Sequence, residues 1–392
     1  MTFKNRSDNV LKAFLPEILE LRRHLHSHPE LSGNEHQTAA LVAGELRKYG
    51  WDVRESVGGT GIVAEFGKKE GPMVGLRVDM DALPIEEKTG LPYSSLTSGV
   101  MHACGHDFHT CIGLGVARLL AHEEPNQLNR IRILFQPAEE IASGAKWMKK
   151  DGAIQGLDAI FGVHVFPELP SGHIGIKRGI LTAAAGKLEI EIIGTGGHGA
   201  RPHQTVDSIW VAAKIISEIQ ESISRQLDAL LPVVISFGKI EGGKVFNVIA
   251  DRVKLVGTVR CLDLELNNIL PDWLDRKIKT IASSLGAEAI VKYTSIAPPV
   301  FNDLYLTGLV QECAEKLLGP EKVSHLDMPS LGAEDFAEFL EDVPGTMFRL
   351  GVGAENGCAP LHNSYFSPDE SCIEIGISVI ASALLDWMKA KR

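Results

Sequence analysis

The feature that most constrains the fold is an alternation of short apolar runs with helical patterns in the first half of the chain. Gly61–Phe66, Met73–Val78, Ile131–Phe135 and Ala159–Val165 are too short for amphipathic helices and too continuously apolar for solvated strands. Runs of that kind suit strands buried on both faces of a parallel sheet. Helical spacing lies between some of them, at Ile112–Glu123 and Ala142–Lys150, and before them, at Asp8–His28 and Glu35–Tyr49, where Gly50 marks the stop. Strands alternating with helices predict an α/β fold with a mostly parallel central sheet.

The middle of the chain has a different texture. It reads as strand (Lys187–Ile193), helix (Val206–Ile223), strand (Val233–Ile240), strand (Val253–Cys261), helix (Asp272–Leu285) and strand (Ala289–Tyr293). That β-α-β-β-α-β order is the ferredoxin-like α+β plan. From Ile296 the chain returns to α/β character and ends in the apolar helix Ile373–Met388. The expected organisation is therefore a catalytic domain from 1–185 and 296–392, with 186–295 inserted into it.

With 392 residues, two or three domains are expected. The net charge of -11 argues against nucleic acid as a partner, because phosphate binding needs clustered Lys and Arg. The N-terminal sequence has no apolar core or cleavage site of a secretory signal, and no apolar run reaches the ~20 residues that span a bilayer. No membrane association is expected. Six scattered cysteines suit reduced thiols, so a cytoplasmic location is expected.

The strongest chemical signal is Met101-His-Ala-Cys-Gly-His-Asp-Phe-His109. A thiolate at Cys104 and an imidazole at His106 can reach one soft divalent ion or share a pair of them. A lone Cys-x-His also fits a helix start with a buried thiol, but three histidines and an aspartate around this Cys weigh against that. Gln136-Pro-Ala-Glu-Glu140 follows an apolar strand, where α/β enzymes place function. Of its adjacent carboxylates, Glu139 and Glu140, one can bind metal while the other acts as general base. His164 ends an apolar run and needs a hydrogen bond or a metal. Asp79 and Asp81, at the end of another strand, can ligate metal or orient a ligating histidine. His362 carries almost no local signal. In the middle stretch, the Gly-rich loop Gly194–His203 lacks the spacing of a dinucleotide site.

Taken together, these segments resemble the M20 metallopeptidase family, in its aminoacylase, hippurate hydrolase and auxin-conjugate hydrolase branch. The matching stretches are Leu21–Leu31, Arg77–Pro84, Met101–Asp107, Gln136–Glu140, Gly162–His164, Gly197–His203, Asn247–Ile249, Gly257–Arg260, Gly332–Phe336 and Leu361–Asn363, in the family's order. The resemblance implies a Zn-peptidase-like catalytic domain, a lid and dimerisation role for the insert, and a homodimer. It implies two divalent metal ions per subunit (zinc, manganese, nickel or cobalt), bridged by Cys104 and completed by His106, Glu140, His164 and His362. Glu139 is then the general base, and His198 holds the oxyanion, often reaching across a dimer. Asn247 and Arg260 bind the substrate, Arg260 through its carboxylate.

Relatives in other branches use a His at the position of Asp79 and an Asp at that of Cys104, so Asp79 and Asp81 are expected behind the ligands rather than among them. The implied reaction is amide hydrolysis of N-acyl amino acids, small molecules such as N-acetyl or N-benzoyl conjugates. Phe108, Ile141-Ala-Ser143 and Ala250 depart from the family pattern, and the first two are expected to reshape the acyl pocket. Two other readings stay open. A thiol hydrolase would use Cys104 as nucleophile with His106 or His109 as base. A non-catalytic binding protein would hold metal without turnover.

Overall fold

The computed structural model describes residues 3–124, 128–354 and 357–391, the side chains of residues 3–8 excepted. Met1 and Thr2, the start of the N-terminal sequence read above for a secretory signal, lie outside the described residues. The chain forms two compact units. One runs up to Leu181 and takes in Phe301–Met328 and the chain from Asp335 on; the other holds Thr182–Val300 and Pro329–Glu334. The second unit is thus wider than 186–295. The return segment belongs to it because Ala183 N–H donates to Ser330 O (2.9 Å).

The first unit contains α1 (Phe3–Ser27), α2 (His36–Lys48), β1 (Asp52–Val57), β2 (Gly61–Phe66), β3 (Met73–Asp79), α3 (His106–Leu120), β4 (Arg130–Gln136), α4 (Gly144–Lys150), β5 (Ala159–Pro170), β6 (Ile174–Ile176) and β7 (Gly179–Ile180). The second unit follows with β8 (Ala184–Ile193), β9 (Gly197–His198), α5 (Ser208–Gln226), β10 (Val233–Gly242), β11 (Val248–Ile249), β12 (Arg252–Cys261), α6 (Leu264–Ser284) and β13 (Glu288–Ala297). The chain then returns to the first with β14 (Phe301–Asn302), α7 (Leu304–Leu318), β15 (Val323–His325), α8 (Ala337–Leu340), β16 (Gly345–Gly353) and α9 (Cys372–Ala390).

The main sheet has the order β1-β2-β4-β3-β5-β16-β6-β15. Its centre, β4-β3-β5-β16, is parallel throughout. All seven residues of β3 are buried, as expected of a strand covered on both faces. The helix α3, buried at every residue but Arg118, packs against α1, α2, α9 and β3, and these elements join in one hydrophobic core. Register places Asp79 of β3 opposite Gln136 of β4, so the carboxyl ends of the two strands finish level. Ligands bind in α/β sheets at such ends.

The second unit has a separate core and a four-stranded antiparallel sheet in the order β10-β12-β8-β13. That order, with α5 and α6 as the two crossovers, is the ferredoxin-like arrangement. Alternate residues of β8 and β12, among them Leu188, Ile190, Val253 and Leu255, face α5 and α6.

Three elements differ from the sequence expectation for identifiable reasons. First, β1 is an edge strand with mostly exposed residues, so it carries no apolar pattern. Second, α3 begins at His106 rather than Ile112, because Gly105 turns the chain at φ 80°. A Cβ there would also lie 2.5 Å from Val165 Cγ2, so only glycine fits.

Third, α6 begins at Leu264 and runs through Pro271, where the sequence reading starts the helix afresh. An interior proline costs about 3 kcal/mol. The buried stripe Leu266, Leu270, Leu274, Ile278 and Ile281 continues across it, and burying Leu266 and Leu270 returns about 1.5–3 kcal/mol each. The Asp263 carboxylate caps the new start by accepting from Leu266 N–H (2.7 Å).

Candidate metal centre

The centre of the first unit's chemistry is the turn from Met101 to the first residues of α3. The Gly105 turn sets Cys104 just before the helix and His106 and His109 on its first turn. The His164 ring comes from β5, Glu139 and Glu140 from the loop after β4, and His362 from a loop whose backbone N–H donates to Ala103 O (2.8 Å).

These donors form interlocking groups. The ligand atoms of Cys104, His106 and His164 all lie within 4.8 Å of one another, and so do those of Cys104, Glu140 and His362. Cys104 is common to both groups. His164 Nε2 is 3.6 Å from Cys104 Sγ, and His362 Nε2 is 3.5 Å from Glu140 Oε2. Glu139 joins from the other side, with its Oε2 3.9 Å from His106 Nε2.

The hydrogen bonds behind the donors fix their tautomers. His106 Nδ1 contacts Asp81 through the backbone carbonyl (2.9 Å) and Oδ1 (3.1 Å), so Nδ1 keeps a proton and Nε2 is the nitrogen left to a metal once its own proton is displaced. His164 Nδ1 likewise faces Val165 O at 2.7 Å. Asp81 also accepts from Glu140 N–H (3.0 Å) and Ser32 Oγ (2.6 Å) through Oδ2. One carboxylate therefore orients the ring of one donor and the backbone of another.

His109 is held differently. Its Nδ1–H donates to Asp79 Oδ1 (2.6 Å), and its Nε2 accepts from Val165 N–H (2.9 Å). Asp79 is further tied to Arg77 (2.7 Å), which also donates to Gln136 Oε1 (2.8 Å) and Asp335 Oδ1 (3.1 Å). Asp79, His106 and His109 come close enough to hold an ion, but His109 has no free lone pair and Asp79 is already engaged. They serve as scaffolding.

The residues fit divalent ions on a direct observation. His106 Nε2 and Glu140 Oε1 are buried with no hydrogen-bond partner among the described residues. Orphaned groups of this kind cost about 1–3 kcal/mol each, and cations held by the two groups of donors would satisfy one each. Without a cation, two of the donors hold protons that a metal would displace. Burial, reinforced by Glu140, pushes the Cys104 thiol well above its usual range. Burial also keeps His164 neutral, with nearby His109 acting in the same sense. Burial opposes charge on His106 too, but Asp79, Cys104 and Asp81 hold its proton well above the usual range. Burial raises Glu140 against the pull of His106 and His362. A thiol, imidazoles and carboxylates in such a site suit zinc or its neighbours in the first row.

Phe108 does not shape a pocket here. Its ring is fully buried in the core, with the Arg22 guanidinium 4.5 Å from its centroid. Ile141 is 54% exposed beside Glu140, so of the two expected departures it is the one that can meet a substrate. Ala250 is buried in the second unit.

The second unit holds the other expected site residues. Exposed His198 is on β9, paired with Val248 of β11. Its Nδ1 accepts from Ala200 N–H (3.1 Å), so Nε2 carries the proton and is a donor. Asn247 O accepts from Gly199 N–H (2.9 Å), which brings Asn247 beside the His198 loop. Arg260 ends β12. Its Nε donates to Leu331 O (3.1 Å) and its Nη1 to Val259 O (3.0 Å) and the Thr258 hydroxyl, leaving Nη2 unengaged among the described residues.

The sequence reading did not find Arg77, Asp335 or Glu35 as parts of this architecture. A buried arginine in the apolar run of β3 was the available sign for Arg77. Asp335 lies in the family-like stretch Gly332–Phe336 but was given no role, and nothing local marks Glu35.

Comparison with known proteins follows the geometry. The family model described as Peptidase family M20/M25/M40 matches residues 75–386. A protein named Probable hydrolase sll0100 from Synechocystis is 48% identical over 379 residues, covering 96% of each chain. An N-acetyl-L-cysteine deacetylase from Bacillus subtilis is 40% identical over 376 residues, covering 95% of this chain and 89% of that protein. Among solved structures, the Bacillus subtilis YXEP protein, described as a dinuclear metal binding peptidase from the M20 family, superposes with a TM-score of 0.84. It is 34% identical and covers 96% of this chain and 99% of that one.

Proposed function

The chain belongs to peptidase family M20/M25/M40 and is a hydrolase of that family, and on that premise we propose that it cleaves the amide bond of N-acyl amino acids to a carboxylic acid and a free amino acid. The observation that carries this reading is the convergence of Cys104, His106, Glu140, His164 and His362 with a separate carboxylate, Glu139, beside them. Cys104, His106 and His164 would hold one ion, and Cys104, Glu140 and His362 the other. A bound pair of divalent ions lowers the pKa of water and polarises a carbonyl oxygen.

The protein's own groups do the rest. Glu139 takes the proton from the attacking water and delivers it to the leaving nitrogen. Asp81 keeps the Nε2 lone pair of His106 available by holding Nδ1–H. His198, protonated on Nε2, is suited to donate to a developing oxyanion. Arg260, through Nη2, and Asn247 are suited to the substrate's carboxylate and carbonyl. The acetyl group named in the Bacillus subtilis relative makes N-acetyl amino acids the first substrates to try.

The thiol alternative fares worse on physical grounds. An activated cysteine needs a lowered pKa, whereas burial drives Cys104 upward. His109, one of its two candidate bases, has both ring nitrogens engaged. For assembly, β10 and β13 leave open edges on the second unit's sheet, and Ile240, Val245 and Phe246 are exposed. A homodimer through this unit is the expected state, to be measured by light scattering.

The decisive experiment strips the protein with a chelator and reloads it with zinc, manganese, nickel or cobalt. Hydrolysis of N-acetyl, N-benzoyl and N-indoleacetyl amino acids is then followed. Activity should vanish on stripping and return with a metal. Turnover by the stripped protein would favour the thiol reading, and metal uptake without turnover on any substrate would make this a binding protein. No helix among the described residues is long and apolar enough to cross a membrane.

A further inference from the structure

We propose that Glu35 is a positioning residue for Glu139, holding the turn that presents the base; the inference rests on the reading of Glu139 given above. Glu35 is fully buried at the residue before α2. Its Oε1 accepts from Gly33 N–H (2.8 Å) and from Ala138 N–H (2.9 Å), and its Oε2 accepts from the Thr60 hydroxyl. Among the described residues no Lys, Arg or His forms an ion pair with it. A buried carboxylate without a cation is costly, and here its compensation is three donors from three separate segments. One of those donors is the residue just before the base.

Ala138 is a non-glycine residue at φ 53°, in the left-handed region that L-residues avoid. Both of its backbone groups are pinned. Its carbonyl accepts from Ser143 and Gly144 N–H (3.2 Å each), within the same loop. Gly144 is confined to glycine there, since a Cβ would stand 1.6 Å from Pro137 O. The N–H pin comes instead from Glu35, more than a hundred residues away in sequence. The Glu139 carboxylate is one residue past this pin, and Glu139 O closes the turn by accepting from Ala142 N–H (2.7 Å). Release of the Ala138 N–H lets the backbone leave its left-handed conformation and carries the base with it. The metal donors, anchored separately by Asp81 and Val165, stay in place.

The test uses Glu35→Leu, Glu35→Gln and Glu35→Asp in the metal-loaded full chain, with N-acetyl-L-cysteine or the best substrate found. Leucine fills the volume but accepts nothing. Glutamine can turn its oxygen to Gly33 and Ala138 and its NH2 to the Thr60 hydroxyl, which can accept, so it keeps the pin. Aspartate keeps the charge but withdraws both oxygens by a methylene, and it carries the test should Glu35→Leu not fold.

Glu35→Leu and Glu35→Asp are expected to lower kcat about 10- to 100-fold, the usual cost of a misplaced catalytic group. KM and metal content measured by mass spectrometry should stay near wild type. Hydrogen exchange should quicken in the segment 138–144. Glu35→Gln should stay within about threefold of wild type on every readout.

The proposal fails if Glu35→Asp keeps full kcat, if Glu35→Gln falls as far as Glu35→Leu, or if metal is lost in step with activity. Glu139→Gln run alongside separates the two claims. If it retains kcat, the base has been misassigned whatever Glu35 does; if it abolishes kcat while Glu35→Leu and Glu35→Asp do not lower it, the positioning role alone is wrong.

Discussion

Replacing Asp81 by asparagine changes one oxygen to an NH2 at constant volume, and the surroundings offer that NH2 nowhere to go. Asp81 Oδ1 faces His106 Nδ1 (3.1 Å), and Oδ2 faces Glu140 N–H (3.0 Å) and Ser32 Oγ (2.6 Å). If the NH2 turns to Glu140, it meets a fixed backbone donor and that hydrogen bond is lost. If it turns to His106, it opposes the Nδ1 proton, which the Asp81 carbonyl (2.9 Å) is then left to hold alone, and a ring that moves this proton to Nε2 to accept the NH2 loses the lone pair that a metal needs. A hydrogen bond to a charged group is worth about 1.5–3 kcal/mol, which at 1.36 kcal/mol per decade is about 10- to 150-fold in metal affinity. Competition with a fluorescent chelator measures this directly, with the melting temperature of the stripped protein as control for folding. An Asp81→Asn variant that binds metal within about twofold of wild type would refute the tautomer argument.

Glu139→Gln is expected to lower kcat about 10²- to 10⁴-fold with metal content unchanged; loss of metal would make Glu139 a ligand. Pro271→Ala should stabilise the second unit by about 1–2 kcal/mol in urea titrations, because it returns a helix hydrogen bond and loses some of proline's chain stiffness; a drop in stability would mean the helix depends on the ring's packing. Burial works against ionisation of Glu87, but hydrogen bonds from His26, Ser95 N–H and Thr89 bring its pKa down to about 2. A depressed carboxyl stabilises the fold above its unfolded value and loses that contribution as pH falls toward about 2. Glu87→Gln should therefore flatten the acid loss of stability below about pH 4.5, and an unchanged acid slope in circular dichroism would count against it.

What the sequence could and could not disclose follows from the range of each interaction. The strands β3, β4 and β5 were legible because burial on both faces writes a mostly apolar run, interrupted at Arg77, Arg132 and His164. The order of the second unit was legible because one-sided burial writes an alternation into β8 and β12. By contrast, β1 sits exposed at an edge and writes nothing. The start of α6 was misread because Pro271 is a strong local signal that a longer buried stripe outweighs. At the site, Cys104 with His106 and Glu139 with Glu140 announced themselves by adjacency. His362 and Glu35 act across long sequence separations, and only the fold joins His362 to Glu140 or Glu35 to Ala138. Phe108 misled for the opposite reason. Its position beside metal donors suggested a pocket wall, but successive residues of a helix do not share a face, and its ring turns into the core.

Metal removal tests the whole arrangement at once. The first unit keeps His106 Nε2 and Glu140 Oε1 buried without hydrogen-bond partners among the described residues, and it keeps the Cys104 thiol where burial resists ionisation. Each is a cost to the fold that bound cations would offset. At a free metal concentration one hundred times Kd, linkage stabilises the folded chain by about 2.7 kcal/mol per site. At about 2–4 °C per kcal/mol for a unit of this size, a chelator should lower its melting temperature by about 5–10 °C for each ion removed, and zinc should restore it. The difference should shrink as pH falls. Metal binding must displace protons from Cys104 and His106, and both hold them more tightly than usual in this site. A melting temperature indifferent to chelator, in protein shown by mass spectrometry to lose its metal, would mean that the buried donors find partners of their own. The case for a site built around cations would then rest on the family alone.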